Sequence, residues 1–274
     1  MSNRQDGRAG GSLARSSGAI SFFDTKAQEY LAAYREDSLA GYVLRTRRAR
    51  VLDLLGEING RVLDVGCGPG AMTEEILDAG CEFWGVDGSL RMIVEGRRRF
   101  SGCAQANFGV ADAVALPFAD ATFDGALCVG VIDRVSQPEA VMMEVGRVLK
   151  PRGTLVIAFP NFLSPYALWR SHVFYAGIGC AKRVLGRFGK RRRGLDLCSA
   201  AGLWTPWAAR RMVGSLVGEV REIAYYHFGV FPAPLDELLP GAALGTARWL
   251  ERLRKTPLRW LGSGFLVMAR RSSA

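Results

Sequence analysis

Histidine is scarce in this chain, with two in 274 residues, and no two of its six cysteines are spaced as CxxC. A structural zinc site, which needs clustered Cys or His ligands, is therefore not expected. No stretch reaches the ~20 apolar residues of a membrane span. The strongest, Val173 to Ala181, is broken by glycines and runs into Lys182-Arg183. Residues 1–20 are rich in Gly, Ser and Arg and lack the apolar core of a secretory signal, so they read as a loose tail. Their Arg and Ser would also suit an organelle transit peptide, but the segment is short and contains Asp6. With no secretion signal, Cys67, Cys81, Cys103, Cys128, Cys180 and Cys198 are expected as reduced, mostly buried thiols in a cytoplasmic protein.

What the chain does have is apolar content of 49% with 23% charged residues, enough for one large domain or a domain plus a cap. Its net charge of +10 is unevenly spread. Residues 1–50 carry 9 basic and 5 acidic side chains, a net +4. Residues 51–160 carry 9 and 15, a net −6, and residues 161–274 carry 18 and 6, a net +12. An acidic middle suits a cationic ligand, and a basic C-terminal third suits something anionic.

Helical periodicity runs from Thr25 to about Glu57, with Tyr30 and Tyr34 on one face and a break expected at Gly41. Strand and helix then alternate. Strands are expected at 61–66, 81–87, 107–111, 123–129 and 153–160, separated by helices at 71–79, 90–100 and 138–149. Ser89 is placed to cap the second of these helices, and Lys150-Pro151-Arg152-Gly153 to end the third. Residues 161–204 break the rhythm and read as a cap or insertion. After them come a helix from Thr205-Pro206, a strand at 219–228, a helix at 242–253 and a last strand at 264–270. The expected organisation is a tail at 1–20, N-terminal helices and a cofactor-binding core at 21–160, the cap at 161–204, and the rest of the same α/β domain at 205–274. The fold class is a Rossmann-like, mostly parallel sheet with helices on both faces.

VLDVGCGPG (62–70) joins a strand to a helix, and its glycines let the backbone turn sharply and approach a ligand closely. Gly66, Gly68 and Gly70 would floor a site at the carboxyl end of the strand. Nineteen residues after Gly68, at the end of the second strand, comes Asp87, where an acid can accept hydrogen bonds from a ribose diol. Asp64 lies two residues before Gly66. A carboxylate there would repel a pyrophosphate but offset the positive groups of a sulfonium-bearing amino acid. Asp112, after the third strand, could accept from an adenine amino group or cap the next turn.

These segments, with GVDGS (85–89), GVADAVALPF (109–118), FDGALCVGVIDRV (123–135) and PEAVMMEVGRVLKPRGTLVIAFPN (138–161), resemble the class I S-adenosylmethionine-dependent methyltransferases. Within that family the chain is similar to the methyltransferase type 11, ubiquinone/menaquinone-biosynthesis-like branch. The resemblance covers about 100 consecutive residues in the family's order and spacing. It implies a seven-stranded sheet with an antiparallel last strand, S-adenosyl-L-methionine as cofactor, and a methyl-transferring enzyme. It further implies that Gly66, Cys67 and Gly68 line the methionine portion and that Asp64 orients the loop and the α-amino group. Asp87 and Gly88 would lie at the ribose. Ser89, Leu90 and Met92 would flank the adenine, whose edge Asp112 and Ala113 would meet. Cys128, Val129 and Gly130 would close the pocket near the sulfonium.

Methyl transfer needs nucleophile, methyl carbon and sulfur held in line, and a general base only for a weak, protonated acceptor. Where relatives of this branch often carry a histidine pair after the fourth strand, this chain has Asp133 and Arg134. They read as a structural ion pair, or Arg134 as a holder of an anionic acceptor. His172 and His227 are the remaining candidate bases, and Tyr30 and Tyr34 candidate aromatic covers for the sulfonium. Residues 182–193 hold seven basic side chains and no acid, interleaved with Val184, Leu185 and Phe188. They suit an anionic membrane surface, which would place the protein peripherally at a membrane, or a phosphate-rich partner. The leading expectation is methyl transfer to a small apolar or amphipathic acceptor, with no metal. An RNA methyltransferase and a dinucleotide-dependent oxidoreductase are the alternatives. The first lacks an Asn/Asp-Pro-Pro-Tyr motif at Val129-Gly130-Val131-Ile132, and Asp64 argues against the second.

Overall fold

The structure is a computed structural model that describes residues 20, 21, 23–25, 29–169, 204–229 and 238–273. Seven strands form one sheet: β1 (Arg61–Val65), β2 (Glu82–Asp87), β3 (Ala106–Val110), β4 (Phe123–Cys128), β5 (Leu149–Pro160), β6 (Gly218–Tyr226) and β7 (Gly264–Arg271). Their order is β3-β2-β1-β4-β5-β7-β6. The pairs from β3 to β5 are parallel, while β7 runs antiparallel between β5 and β6. The chain direction reverses its walk across the sheet between β1 and β4. That switch point is where open α/β sheets take their ligands.

The central strands are apolar on both faces because both are covered by helices. Alternate side chains serve two cores. Leu63, Ala126, Cys128, Leu155, Ile157 and Phe159 pack beneath the helices Pro138–Val148 and Pro206–Leu216. Val62, Leu127, Val156, Ala158 and Leu266 pack on the other face with Val51 and Leu54 of the helix Leu39–Leu55, Ile76 of Thr73–Asp78 and Ile93 of Leu90–Arg99. The period of two along each strand is what divides the cores.

Local capping matches the sequence in several places. Ser89 Oγ accepts from Met92 N–H, and Thr205 Oγ1 accepts from Ala208 N–H with Pro206 in the first turn. Two details differ. The break in the N-terminal helical region falls at residues 36–38, not at Gly41; Ser38 caps the helix Leu39–Leu55 by accepting from Gly41 N–H at 3.1 Å. Gly41 is in that helix because a Cβ there would sit 2.3 Å from the Glu36 carbonyl. The helix Pro138–Val148 does end just before Lys150–Gly153, but β5 begins at Leu149, earlier than the expected 153, and takes in that segment, with Arg152 at φ 65°. Among the described residues, no helix is long and apolar enough to cross a membrane. Cys67, Cys81 and Cys128 are buried, Cys103 is half-buried, and all four are free thiols; Cys180 and Cys198 lie outside the described residues.

Candidate cofactor and acceptor site

β1 delivers the chain to a loop in which Gly66, Gly68 and Gly70 all take positive φ (74°, 54° and 76°). Gly66 and Cys67 N–H both donate to the Val86 carbonyl, at 2.7 and 3.1 Å, so the loop is pinned to the end of β2. Two of the three positions are also closed to a side chain. A Cβ on Gly66 would lie 2.2 Å from Val131 Cγ2, and one on Gly70 would lie 2.6 Å from Thr73 Oγ1. Gly68 is less crowded: a Cβ there would meet Tyr30 Cε1 at 3.7 Å and Met92 Sδ at 3.9 Å, ordinary contact distances. From the far side Arg99 donates to the Pro69 and Gly70 carbonyls at 2.9 and 3.1 Å and clamps the loop to the helix Leu90–Arg99.

Two carboxylates underlie this loop. Asp87 accepts from Gly68 N–H at 2.9 Å on one oxygen and from Ser89 N–H at 2.8 Å on the other. Burial raises its pKa, opposed by those two N–H bonds. Asp64 is buried, and neither of its oxygens has a hydrogen-bond partner among the described residues. Burial first, and then the Asp87 charge, push its carboxyl up to about 8 against the pull of Arg47. A buried carboxylate without donors is costly unless a cation or donor reaches it. The orphaned Asp64, the less crowded Gly68 and the spare lone pairs of Asp87 fit the ammonium, methionine chain and ribose diol of S-adenosylmethionine.

The remaining sequence candidates fall around the same rim. Ser89 is fully buried, and its hydroxyl donates to Asp24 Oδ1 while capping the helix. Met92 and Cys128 are fully buried, and Val129 nearly so, whereas Leu90 is 60% exposed. Asp112 is exposed and accepts from Val114 N–H at 3.1 Å, beside a half-buried Ala113. Gly88 is covered by Ile20, whose side chain lies 3.1 Å from where a Cβ would be. Arg134 Nε donates to the Gly130 carbonyl at 2.7 Å, approaches Asp133 at 4.0 Å and sits 4.5 Å from the Phe23 ring centroid. His227 is buried just beyond β6 at φ 54°, hydrogen-bonded through Nδ1 to Ser263 Oγ and edge-on to Tyr166. His172 lies outside the described residues, as do residues 182–193.

Sequence reasoning missed two groups here. One is the start of the N-terminal segment: Ile20, Phe23 and Asp24 reach Gly88, Arg134 and Ser89 respectively, and so lie, with the sequence candidate Tyr30 near Gly68, across the ends of β1, β2 and β4. The other is Arg47, on the helix Leu39–Leu55. Its Nη1 lies 3.7 Å from where a Cβ on Gly130 would be, and its charge acts on the phenols of Tyr34 and Tyr226. Tyr34 packs against Tyr30 with ring centroids 5.8 Å apart. The run RTRRAR (45–50) reads as a solvated basic face, so the sequence carried no signal that one member turns inward. Among the described residues no group of three His, Cys, Asp or Glu is placed to hold a metal ion.

A seven-stranded sheet of this order, with a glycine loop after β1 and an acid ending β2, is the architecture that the resemblance to class I S-adenosylmethionine-dependent methyltransferases implies. Residues 63–157 match the family model described as a methyltransferase domain. A demethylmenaquinone methyltransferase of Renibacterium salmoninarum is 41% identical over 117 residues, 42% of this chain and 48% of its own length. One from Paenarthrobacter aurescens is 36% identical over 132 residues, 48% of this chain and 50% of its own. An O-methyltransferase of Aspergillus sclerotiorum is 33% identical over 125 residues, 42% of this chain and 46% of its own. The chain spans about half the length of the curated relatives it matches. Among solved structures, a chain from the complex of the Haloferax volcanii Trm112 methyltransferase activator with a methyltransferase has a TM-score of 0.63 at 18% identity, covering 92% of this chain and 98% of that one. An S-adenosylmethionine-dependent methyltransferase from Mesorhizobium loti has a TM-score of 0.55 at 18% identity, covering 81% and 96%. Both share the fold.

Proposed function

We propose that the chain transfers a methyl group from S-adenosylmethionine to a small apolar or amphipathic acceptor. The observation that carries this reading is the buried Asp64, without a hydrogen-bond partner among the described residues, behind the Gly66–Gly70 loop and near Asp87 at the end of β2. Asp64 holds the cofactor's ammonium side and Asp87 its ribose hydroxyls, while Gly68 presents bare backbone to the methionine chain. Gly66 and Cys67 line the same portion through their backbone, and Gly88, Ser89 and Met92 shape the nucleoside end. Asp112 and Ala113 meet the adenine edge, and Cys128 and Val129 close the floor near the sulfonium. The cofactor supplies an electrophilic methyl: an acceptor lone pair forms the bond to carbon as the carbon–sulfur pair returns to sulfur. The chain's part is to hold the reactants in line and exclude water.

The small-molecule acceptor is favoured by relatives named for demethylmenaquinone and O-methylation, and by the apolar and aromatic residues that line the rim. The basic run 182–193 suits contact with an anionic membrane surface from which an amphipathic acceptor would come. The test is mass spectrometry of a cell extract incubated with the protein and isotopically labelled methyl donor. A labelled small organic product supports the reading; label confined to RNA overturns it.

A further inference from the structure

Between β6 and β7 the chain makes an excursion built from a helix, Pro240–Leu250, and two 3-10 turns, Glu251–Lys255 and Pro257–Leu261. The helix packs on the helix Leu39–Leu55, with Ala243, Leu244 and Ala247 buried. That spacing of three and four turns its small residues inward and leaves its largest side chain outside. Trp249 is 61% exposed, and in the second turn Trp260 is 50% and Leu258 46% exposed. Large apolar side chains gathered on one short excursion and left in solvent mark an interaction surface.

The charges around them say what that surface meets. Residues 240–261 hold five basic side chains and one acid. The acid, Glu251, is half-buried and paired with Arg50 at 3.6 Å, and Arg248 is engaged by Asp37 at 2.8 Å. Arg252, Lys255 and Arg259 are exposed and form no ion pair with any described residue. Indole and leucine side chains standing among unpaired cations match the boundary of an anionic bilayer. There the rings lie at headgroup level, the leucine reaches the acyl chains and the cations meet lipid phosphates. A second copy fits less well, because a two-fold contact would set these cations against themselves. A nucleic acid would use the cations and rings but gain nothing from Leu258.

The excursion is fixed at the end of the sheet that carries the glycine loop. Asn161, just past β5, donates through Nδ2 to the Trp260 and Gly262 carbonyls at 2.8 and 2.7 Å, and Ser263 N–H donates to the His227 carbonyl at 2.8 Å. β5 runs parallel to β4 and β4 to β1, so the carboxyl ends of all three lie together.

We propose that residues 240–261 form a membrane-docking surface, in which Trp249, Leu258 and Trp260 enter the interface of an anionic bilayer and Arg252, Lys255 and Arg259 meet its phosphates. The surface is separate from residues 182–193, and docking needs neither cofactor nor acceptor, so it stands apart from the methyl-transfer reading.

The experiment is flotation of the whole chain with vesicles of phosphatidylglycerol and phosphatidylcholine, and with vesicles of phosphatidylcholine alone. The parent protein is expected to partition onto the anionic vesicles about tenfold or more strongly than onto the neutral ones. W249A/W260A is expected to lose about tenfold or more of its binding to the anionic vesicles, the scale of two indoles left in water. R252Q/K255Q/R259Q is expected to lose about tenfold or more of the preference for them. The substituted side chains are exposed, so both variants should unfold at the parent's temperature, and the charge variant carries the test if the tryptophan variant does not fold. A parent protein that floats with neither vesicle would overturn the proposal. So would variants that both float as the parent does, which would give the contact to another part of the chain. A parent dimer that W249A/W260A converts to a monomer, with vesicle binding unchanged, would give the surface to a second copy instead.

Discussion

A carboxylate that accepts two backbone N–H bonds still has a second lone pair on each oxygen, and Asp87 is in that position. Asp87→Ala is expected to weaken S-adenosylhomocysteine binding by roughly 1.5–3 kcal/mol, the loss of charge-assisted bonds to the ribose. Unchanged affinity in a folded variant would place the ribose elsewhere. Asp64 gives a prediction in pH. Its carboxyl is raised to about 8 by burial and by Asp87, so the chain without cofactor holds this proton at pH 7. An arriving ammonium favours the ionised form, so binding at pH 7 releases a proton, and cofactor affinity rises as pH climbs toward 8. The stability contribution runs the other way. The folded chain binds this proton more tightly than the unfolded one, so stability from this group falls between about pH 4 and pH 8. Calorimetry in buffers of different ionisation enthalpy should detect the released proton with the parent and not with Asp64→Asn. Asp64 and Asp87 were legible because their offsets from the glycine loop and the strand end are sequence distances. Arg47 was not, because its inward turn depends on Tyr34 and Tyr226, 13 residues before and 179 residues after it.

At the scale of elements, the glycine loop is held from three sides: by β2 through the Val86 carbonyl, by Arg99 of the helix Leu90–Arg99, and by Val131 beyond β4. Gly66 meets two separate demands, a φ of 74° and a Cβ direction filled by Val131. Gly66→Ala is expected to cost about 1–2 kcal/mol for the left-handed backbone alone, with the clash added. Adding Val131→Ala should recover the steric part and leave the backbone part, a split that thermal unfolding of the single and double variants will read. Recovery of full stability in the double variant would mean the loop relaxes to negative φ. The loop and the strands around it were plain in the sequence, since continuous apolar runs and glycine spacing are local signals. The break at residues 36–38 was not. Gly41 looked like the breaker, yet a helix accepts glycine where a preceding carbonyl leaves no room for a Cβ. The crossing of Ile20, Phe23 and Asp24 over the strand ends was also hidden, because each contact joins residues more than 60 apart.

At the scale of the molecule, the sheet order places the acidic nucleotide half, with its net −6 over residues 51–160, beside strands contributed by a third of the chain that carries +12. If residues 182–193 meet an anionic membrane, neutralising Lys190, Arg191, Arg192 and Arg193 should reduce binding to anionic vesicles by about 1 kcal/mol for each charge lost and leave cofactor affinity unchanged. High salt should act like the variant. Vesicle flotation that recovers none of the parent protein would reject membrane contact, and salt-sensitive RNA binding in its place would point to a nucleic-acid partner.

The account stands most directly on which cofactor the site prefers. On the proposed assignment, Asp64 gives up its proton to pair with the ammonium of a sulfonium-bearing amino acid, whereas a dinucleotide's pyrophosphate would gain nothing from it and would oppose its ionisation. Isothermal calorimetry with S-adenosylmethionine, S-adenosylhomocysteine and NAD, each titrated into the same chain, reads that preference. Saturable binding of the first two and none of NAD is the predicted result. Saturable NAD binding without S-adenosylmethionine binding would contradict it.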